Sequence, residues 1–118
     1  MRIILSFEEE YRMYMEAIAA AIREFRSDAE VRMVAKQEAR DLEAEVERTG
    51  TQLIIACPPI PENPVDEQLT SSVELALETN QPSRFRVGQR YWETTNPTLA
   101  EILSVVDETK RLLRTSRE

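Results

Sequence analysis

The sequence predicts one α/β domain over residues 1–118, a three-layer α/β/α arrangement with a doubly wound sheet of about five strands, about three helices and a shortened second half. Three observations predict it. Apolar, strand-like segments alternate with amphipathic helical ones from residue 2 to residue 57. The run Leu53-Ile54-Ile55-Ala56-Cys57 is apolar without alternation, the pattern of a strand buried on both faces at the centre of a parallel sheet. A capped amphipathic helix closes the chain and is placed to cover one face of that sheet.

The elements follow in order. Arg2 to Phe7 is a short apolar strand, and Glu8, Glu9 and Glu10 open a helix, where carboxylates meet the positive end of the dipole. Tyr11, Met15, Ile18, Ile22 and Phe25 recur at spacings of four, three, four and three, which places them on one stripe. Ser27 and Asp28 turn the chain into a second strand, Val31 to Ala35. Lys36 to Arg48 then forms a helix with Ala39, Leu42 and Val46 inward and Gly50 as its left-handed cap. Strand, helix, strand, helix, strand implies right-handed crossovers between parallel strands.

After the third strand, Pro58, Pro59, Pro61 and Pro64 remove backbone donors and enforce an extended loop. In Ser72 to Glu78, Val73, Leu75 and Leu77 alternate with Ser72, Glu74, Ala76 and Glu78; this favours a strand over the helix that the Leu and Glu content suggests. Asn80 to Ser83 is a turn, and Arg84 to Thr94 is a further β stretch carrying Phe85, Val87, Tyr91 and Trp92. These two stretches form a hairpin or lie apart. Thr98 and Glu101 make a capping box behind Pro97, and Leu99, Ile102, Leu103, Val106 and Leu113 give the last helix its apolar stripe. The terminal Lys110, Arg111, Arg114 and Arg117 suit the negative end of that helix.

Composition removes whole classes of chemistry. No histidine is present, which excludes the commonest general base and the usual zinc and iron ligand. Cys57 stands alone, so neither an internal disulfide nor a multi-cysteine metal site can form. Gly50 and Gly88 are too far apart to build a phosphate-cradling loop, and no cofactor is expected. The net charge of −7 opposes long-range attraction to nucleic acid or anionic lipid, so neither is expected as a partner. The apolar runs fall far short of the roughly 20 residues needed to span a bilayer. Glu8, Glu9 and Glu10 interrupt any signal-peptide pattern, and a cytoplasmic location is expected.

With these elements in order, the chain resembles the receiver domain of bacterial response regulators, a chemotaxis-type, flavodoxin-like fold. Arg2-Ile3-Ile4-Leu5-Ser6-Phe7-Glu8-Glu9 is similar to the family's first strand, with Phe7 and Glu8 where an acidic pair is expected. Thr51 to Pro58 is similar to the third strand and sets Cys57 where the family carries its phosphorylated aspartate. A thiol cannot replace that carboxylate. The family's lysine after the fifth strand has no counterpart, since Arg84, Arg86 and Arg90 are the basic residues nearby. The likeness covers residues 2–59 and 98–113 and implies a pseudo-receiver without phosphoryl transfer.

Three groups of residues are candidates for function. Glu8, Glu9 and Cys57 share the carboxyl end of the sheet, where open α/β sheets bind ligands. A soft sulfur among carboxylates makes a poor magnesium site, and no metal is expected there. Arg84, Arg86 and Arg90 interleave with Phe85, Tyr91 and Trp92, either as a single-strand nucleic-acid platform or, as preferred, packed on the sheet with the arginines paired to carboxylates. Arg90, Tyr91 and Trp92 are also the residue types of binding hot spots. Tyr11, Met13 and Tyr14 make the first helix apolar nearly all round, to be covered by loops or by a second copy in a homodimer. The expected function is a non-catalytic interaction or dimerisation module in bacterial signalling, with a protein or itself as partner. The alternative is a small-molecule binder or minor enzyme using the cleft at Glu8, Glu9 and Cys57.

Overall fold

The structure, a computed structural model, describes residues 1–35, 42–59, 69–77 and 81–115. The elements are β1 (Arg2–Phe7), α1 (Arg12–Phe25), β2 (Glu30–Ala35), α2 (Leu42–Thr49), β3 (Leu53–Cys57), β4 (Ser71–Glu74), β5 (Ser83–Val87), β6 (Arg90–Thr94) and α3 (Leu99–Thr115). One sheet joins the strands in the order β2-β1-β3-β4-β5-β6. β1 runs parallel to β2 and β3, and β4 parallel to β3, whereas β5 and β6 are antiparallel to their neighbours. The chain is therefore α/β with a mixed sheet.

Each face of the sheet carries its own core. Ile3, Leu5, Phe7, Leu53, Ile55, Cys57, Val73, Phe85 and Val87 face one side, where Met15, Ile18, Ala19 and Ile22 of α1 and Ile102, Val105 and Val106 of α3 cover them. Ile4, Val34, Ile54 and Ala56 face the other, packed with Val46 of α2 and with Leu69. Burial of β3 on both faces explains its unbroken apolar run, since neither row of side chains meets water. The stripe of α1 is cut short at its end: Phe25 is exposed, and Ala19 takes an inner position. In α3, Val105 and Thr109 are buried while Leu99 is exposed. The Thr109 hydroxyl tolerates burial because it hydrogen-bonds the Ser71 hydroxyl at 2.6 Å and the Val105 carbonyl at 2.7 Å.

Local signals set several boundaries. The Glu101 amide donates to the Thr98 hydroxyl oxygen at 3.2 Å, so the capping box opens α3. Gly50 ends α2 at φ +66°, its amide donating to the Val46 carbonyl at 3.0 Å. The acidic run opens the helix differently from the expectation: Glu9–Tyr11 is a single 3₁₀ turn ahead of α1. The expected helix start at Lys36 and its inner Ala39, the prolines at 61 and 64, and the Asn80 end of the turn lie outside the described residues.

Two expectations are corrected. Among the described residues the sheet has six strands, because the stretch Arg84 to Thr94 is a hairpin of β5 and β6. Gly88 at φ +60° and Gln89 form its two-residue loop, and a glycine at the first loop position supplies the twist such hairpins need. Among the described residues the period-2 stretch is a strand from Ser71 to Glu74, and the Leu75 amide adds a last rung to β3 by donating to the Ala56 carbonyl at 2.7 Å; Glu78 lies outside the described residues.

Candidate functional site

The candidate rim lies at the carboxyl ends of β1 and β3, where Phe7 pairs with Cys57. The Glu8 amide donates to the Cys57 carbonyl at 3.2 Å, locking the two strand ends together, and the Tyr11 amide donates to the Glu8 carbonyl at 2.9 Å. Cys57 is 1 % exposed, at the end of the all-apolar β3. Burial pushes its thiol up to about 11, with the nearby charges of Glu8 and Glu10 acting in the same direction. Tyr14, half-buried against the same core, is also raised, first by burial and then by Cys57.

The three candidates at this rim serve different ends. Glu9 turns to Arg12, which donates from Nε at 2.8 Å and from Nη2, and that pairing holds the Glu9 carboxyl below its usual range. Arg12 also lies 3.8 Å from Glu16 and sits over the Phe7 ring, 5.0 Å from its centroid. Cys57 points into the core, and Glu8 is engaged through its backbone. Among the described residues no group of three acidic or cysteine side chains gathers as a metal site.

The thiol chemistry has a direct consequence. With its ionisation raised to about 11 and its sulfur shielded, Cys57 is expected to alkylate at least about 100-fold more slowly than a free model thiol at neutral pH. Mass-resolved labelling checks this, with the free-thiol rate returning in denaturant. The same shift makes folding sensitive to alkali. The unfolded chain loses this proton near pH 9 and the folded chain only near 11, so stability falls between the two, by at most about 1.4 kcal/mol per pH unit. The wild-type slope should exceed that of Cys57→Ala over this window.

At the β5–β6 hairpin the aromatic residues pack and the arginines pair. Phe85 is fully buried and stacks on Trp92, with centroids 5.3 Å apart and planes 9° from parallel. The Arg90 guanidinium lies 4.7 Å over the Trp92 ring and also pairs with Glu108 of α3. Arg84 faces Glu93 at 3.9 Å, and Arg86 donates to the Gly88 and Leu69 carbonyls. Tyr91 remains exposed, its hydroxyl donating to Glu93 at 2.8 Å. On α1, Met13 is 84 % exposed, whereas Tyr14 and, in the turn ahead of the helix, Tyr11 pack partly against the core.

Two concavities escape sequence reasoning. One, of about 510 Å³, opens at the amino ends of β1 and β2 and is lined by Arg2, Arg32, Arg48, Glu30, Thr49 and Thr51, among others. Its guanidinium groups are committed within the fold: Arg2 binds Glu30 and the Thr49 carbonyl, while Arg32 and Arg48 face Glu45. Only strand register unites residues so distant in sequence, with Arg2 beside Glu30 and Ile4 beside Arg32. The other, an apolar groove of about 260 Å³, runs between Tyr14, Ala17 and Ile18 of α1 and Pro97, Leu99 and Ile102.

Fold and rim together define an α/β domain whose central parallel strand ends in a buried, protonated cysteine. In comparisons with known proteins, the chain matches no family model, no curated protein and no solved structure. Among the described residues no helix is long and apolar enough to cross a membrane.

Proposed function

We propose that this chain is a non-catalytic, receiver-like interaction module of bacterial signalling, cytoplasmic and not phosphorylated. One observation carries the reading: Cys57, at the strand end where the receiver resemblance expects the phosphoacceptor carboxylate, is a buried thiol with a raised pKa. A group that neither ionises at neutral pH nor meets solvent cannot accept a phosphoryl group from a small donor. The strand order supports the receiver-like part. β2-β1-β3-β4-β5 is the flavodoxin-like order, here modified by an antiparallel β5 and an added β6. With chemistry withdrawn from the rim, the surface is what remains to act, and exposed Met13 and Tyr91 are the apolar side chains it offers among the interface candidates.

The test is incubation with acetyl phosphate and magnesium, followed by intact mass. No phosphoryl adduct is expected. A stable single adduct on a carboxylate would end the reading.

A further inference from the structure

We infer that this protein forms a two-fold dimer through β6, whose free edge pairs antiparallel with the β6 of a second copy and continues the sheet. Among the described residues no strand lies beyond β6. Which of its backbone groups face outward is fixed by a bond two strands away. The Gly88 amide donates to the Thr70 carbonyl at 2.9 Å, so residues 84, 86 and 88 turn their backbone groups to β4. Residues 83, 85 and 87 are left to bond β6, where their partners are Thr94, Trp92 and Arg90. Tyr91 and Glu93 therefore present both N–H and C=O to the outside, an unpaired row of the kind that templates strand addition.

Only one register uses all of these groups. A two-fold axis at Trp92 sets Tyr91 opposite the partner's Glu93, and Glu93 opposite the partner's Tyr91, each an exchanging pair of hydrogen bonds. An axis at Glu93 would oppose two carboxylates and push Tyr91 onto Thr95, beyond the strand end. An axis at Tyr91 would bring Gln89 of the hairpin loop into the ladder. The Trp92 register is self-complementary in its side chains as well. The Tyr91 hydroxyl already donates to the Glu93 carboxylate within one chain, and across the axis it meets the same group of the second copy. Trp92, half-buried and held by Phe85 and Arg90, meets its own copy at close approach.

This inference goes beyond the reading above: a phosphoryl adduct would end that reading and leave the sheet edge untouched, whereas a monomer would end this one alone. Sedimentation equilibrium across the micromolar range tests it. The wild-type chain is expected at twice its mass of 13.6 kDa. Tyr91→Pro removes an outward donor without touching the β5 ladder, and Tyr91→Glu sets a carboxylate opposite the partner's Glu93; both are expected at the monomer mass with unchanged circular dichroism. Tyr91→Lys places opposite charges across the axis and is expected to stay dimeric, which keeps the test decisive if the proline variant misfolds. A monomeric wild type, or a dimer that survives in Tyr91→Glu, would overturn the inference.

Discussion

Replacing Phe85 with alanine is expected to remove about 3–5 kcal/mol of folding stability, the range for truncating a fully buried aromatic ring. The site leaves little scope for relaxation. Phe85 sits on β5 between β4 and β6, opposite Val73 on one side and Trp92 on the other, beneath α3. Truncation removes its buried surface and also its stacked contact with Trp92, a kind of pair worth about 0.5–1.5 kcal/mol beyond area. For a domain whose total stability is about 5–15 kcal/mol, the variant should be largely unfolded in mild denaturant. Phe85→Leu keeps most of the volume and should lose markedly less. Urea unfolding monitored by Trp92 fluorescence measures both, because Trp92 is the single tryptophan. A loss for Phe85→Ala no greater than that for Tyr91→Ala, an exposed residue on the next strand, would show that the hairpin does not share the α3 core.

What was legible in the sequence was what burial and capping write locally. The run from Leu53 to Cys57 is apolar on every residue because β3 lies between α1 and α3 on one face and α2 on the other, and its interior place could be read directly. Thr98 with Glu101, and Gly50 after the second helix, are short-range signals whose geometry needs no tertiary partner, and both appear as expected. The second half was harder. Arg90, Trp92 and Thr94 share a face with Phe85, while Tyr91 and Glu93 share one with Arg84. Charged and aromatic residues occur on both faces, which hides the alternation. The hairpin signal is Gly88 followed by one residue between two β stretches, a cue too short to separate a tight turn from one continuous strand.

The rim shows the same division. That Cys57 is inaccessible follows from the apolar run it terminates. That Glu9 is held by Arg12 was written in their i,i+3 spacing, although the acidic run also fits helix-start electrostatics. The arginine-lined concavity was not legible, because Arg2, Arg32 and Arg48 meet only through the register of β1 with β2 and the return of α2. Periodicity reports which face a residue occupies, whereas register is a property of two segments together.

Restoring the carboxylate that the receiver resemblance expects, by Cys57→Asp, should not restore phosphorylation; it is expected to destabilise the fold by about 3–5 kcal/mol at neutral pH, the cost of an unpaired buried charge. The position is 1 % exposed, and the charges of Glu8 and Glu10 already oppose a negative charge there. Arg12, the cation at this rim among the described residues, is committed to Glu9 and Glu16. The direction with pH follows from these surroundings. An aspartate here has a folded-state pKa above its unfolded value near 3.9. Its penalty is full above the folded pKa, shrinks as pH falls through it, and vanishes once both states are protonated. Stability relative to wild type should therefore recover on acidification from neutral pH towards about pH 4. Cys57→Asn separates charge from shape: a neutral amide of similar size should cost about 1–3 kcal/mol with no such recovery. Denaturant unfolding of the three proteins at several pH values decides the matter. A Cys57→Asp protein as stable as Cys57→Asn at neutral pH, or one that takes a phosphoryl group from acetyl phosphate, would mean that water and cations reach the end of β3, and the sealed strand end on which the non-catalytic reading depends would be wrong.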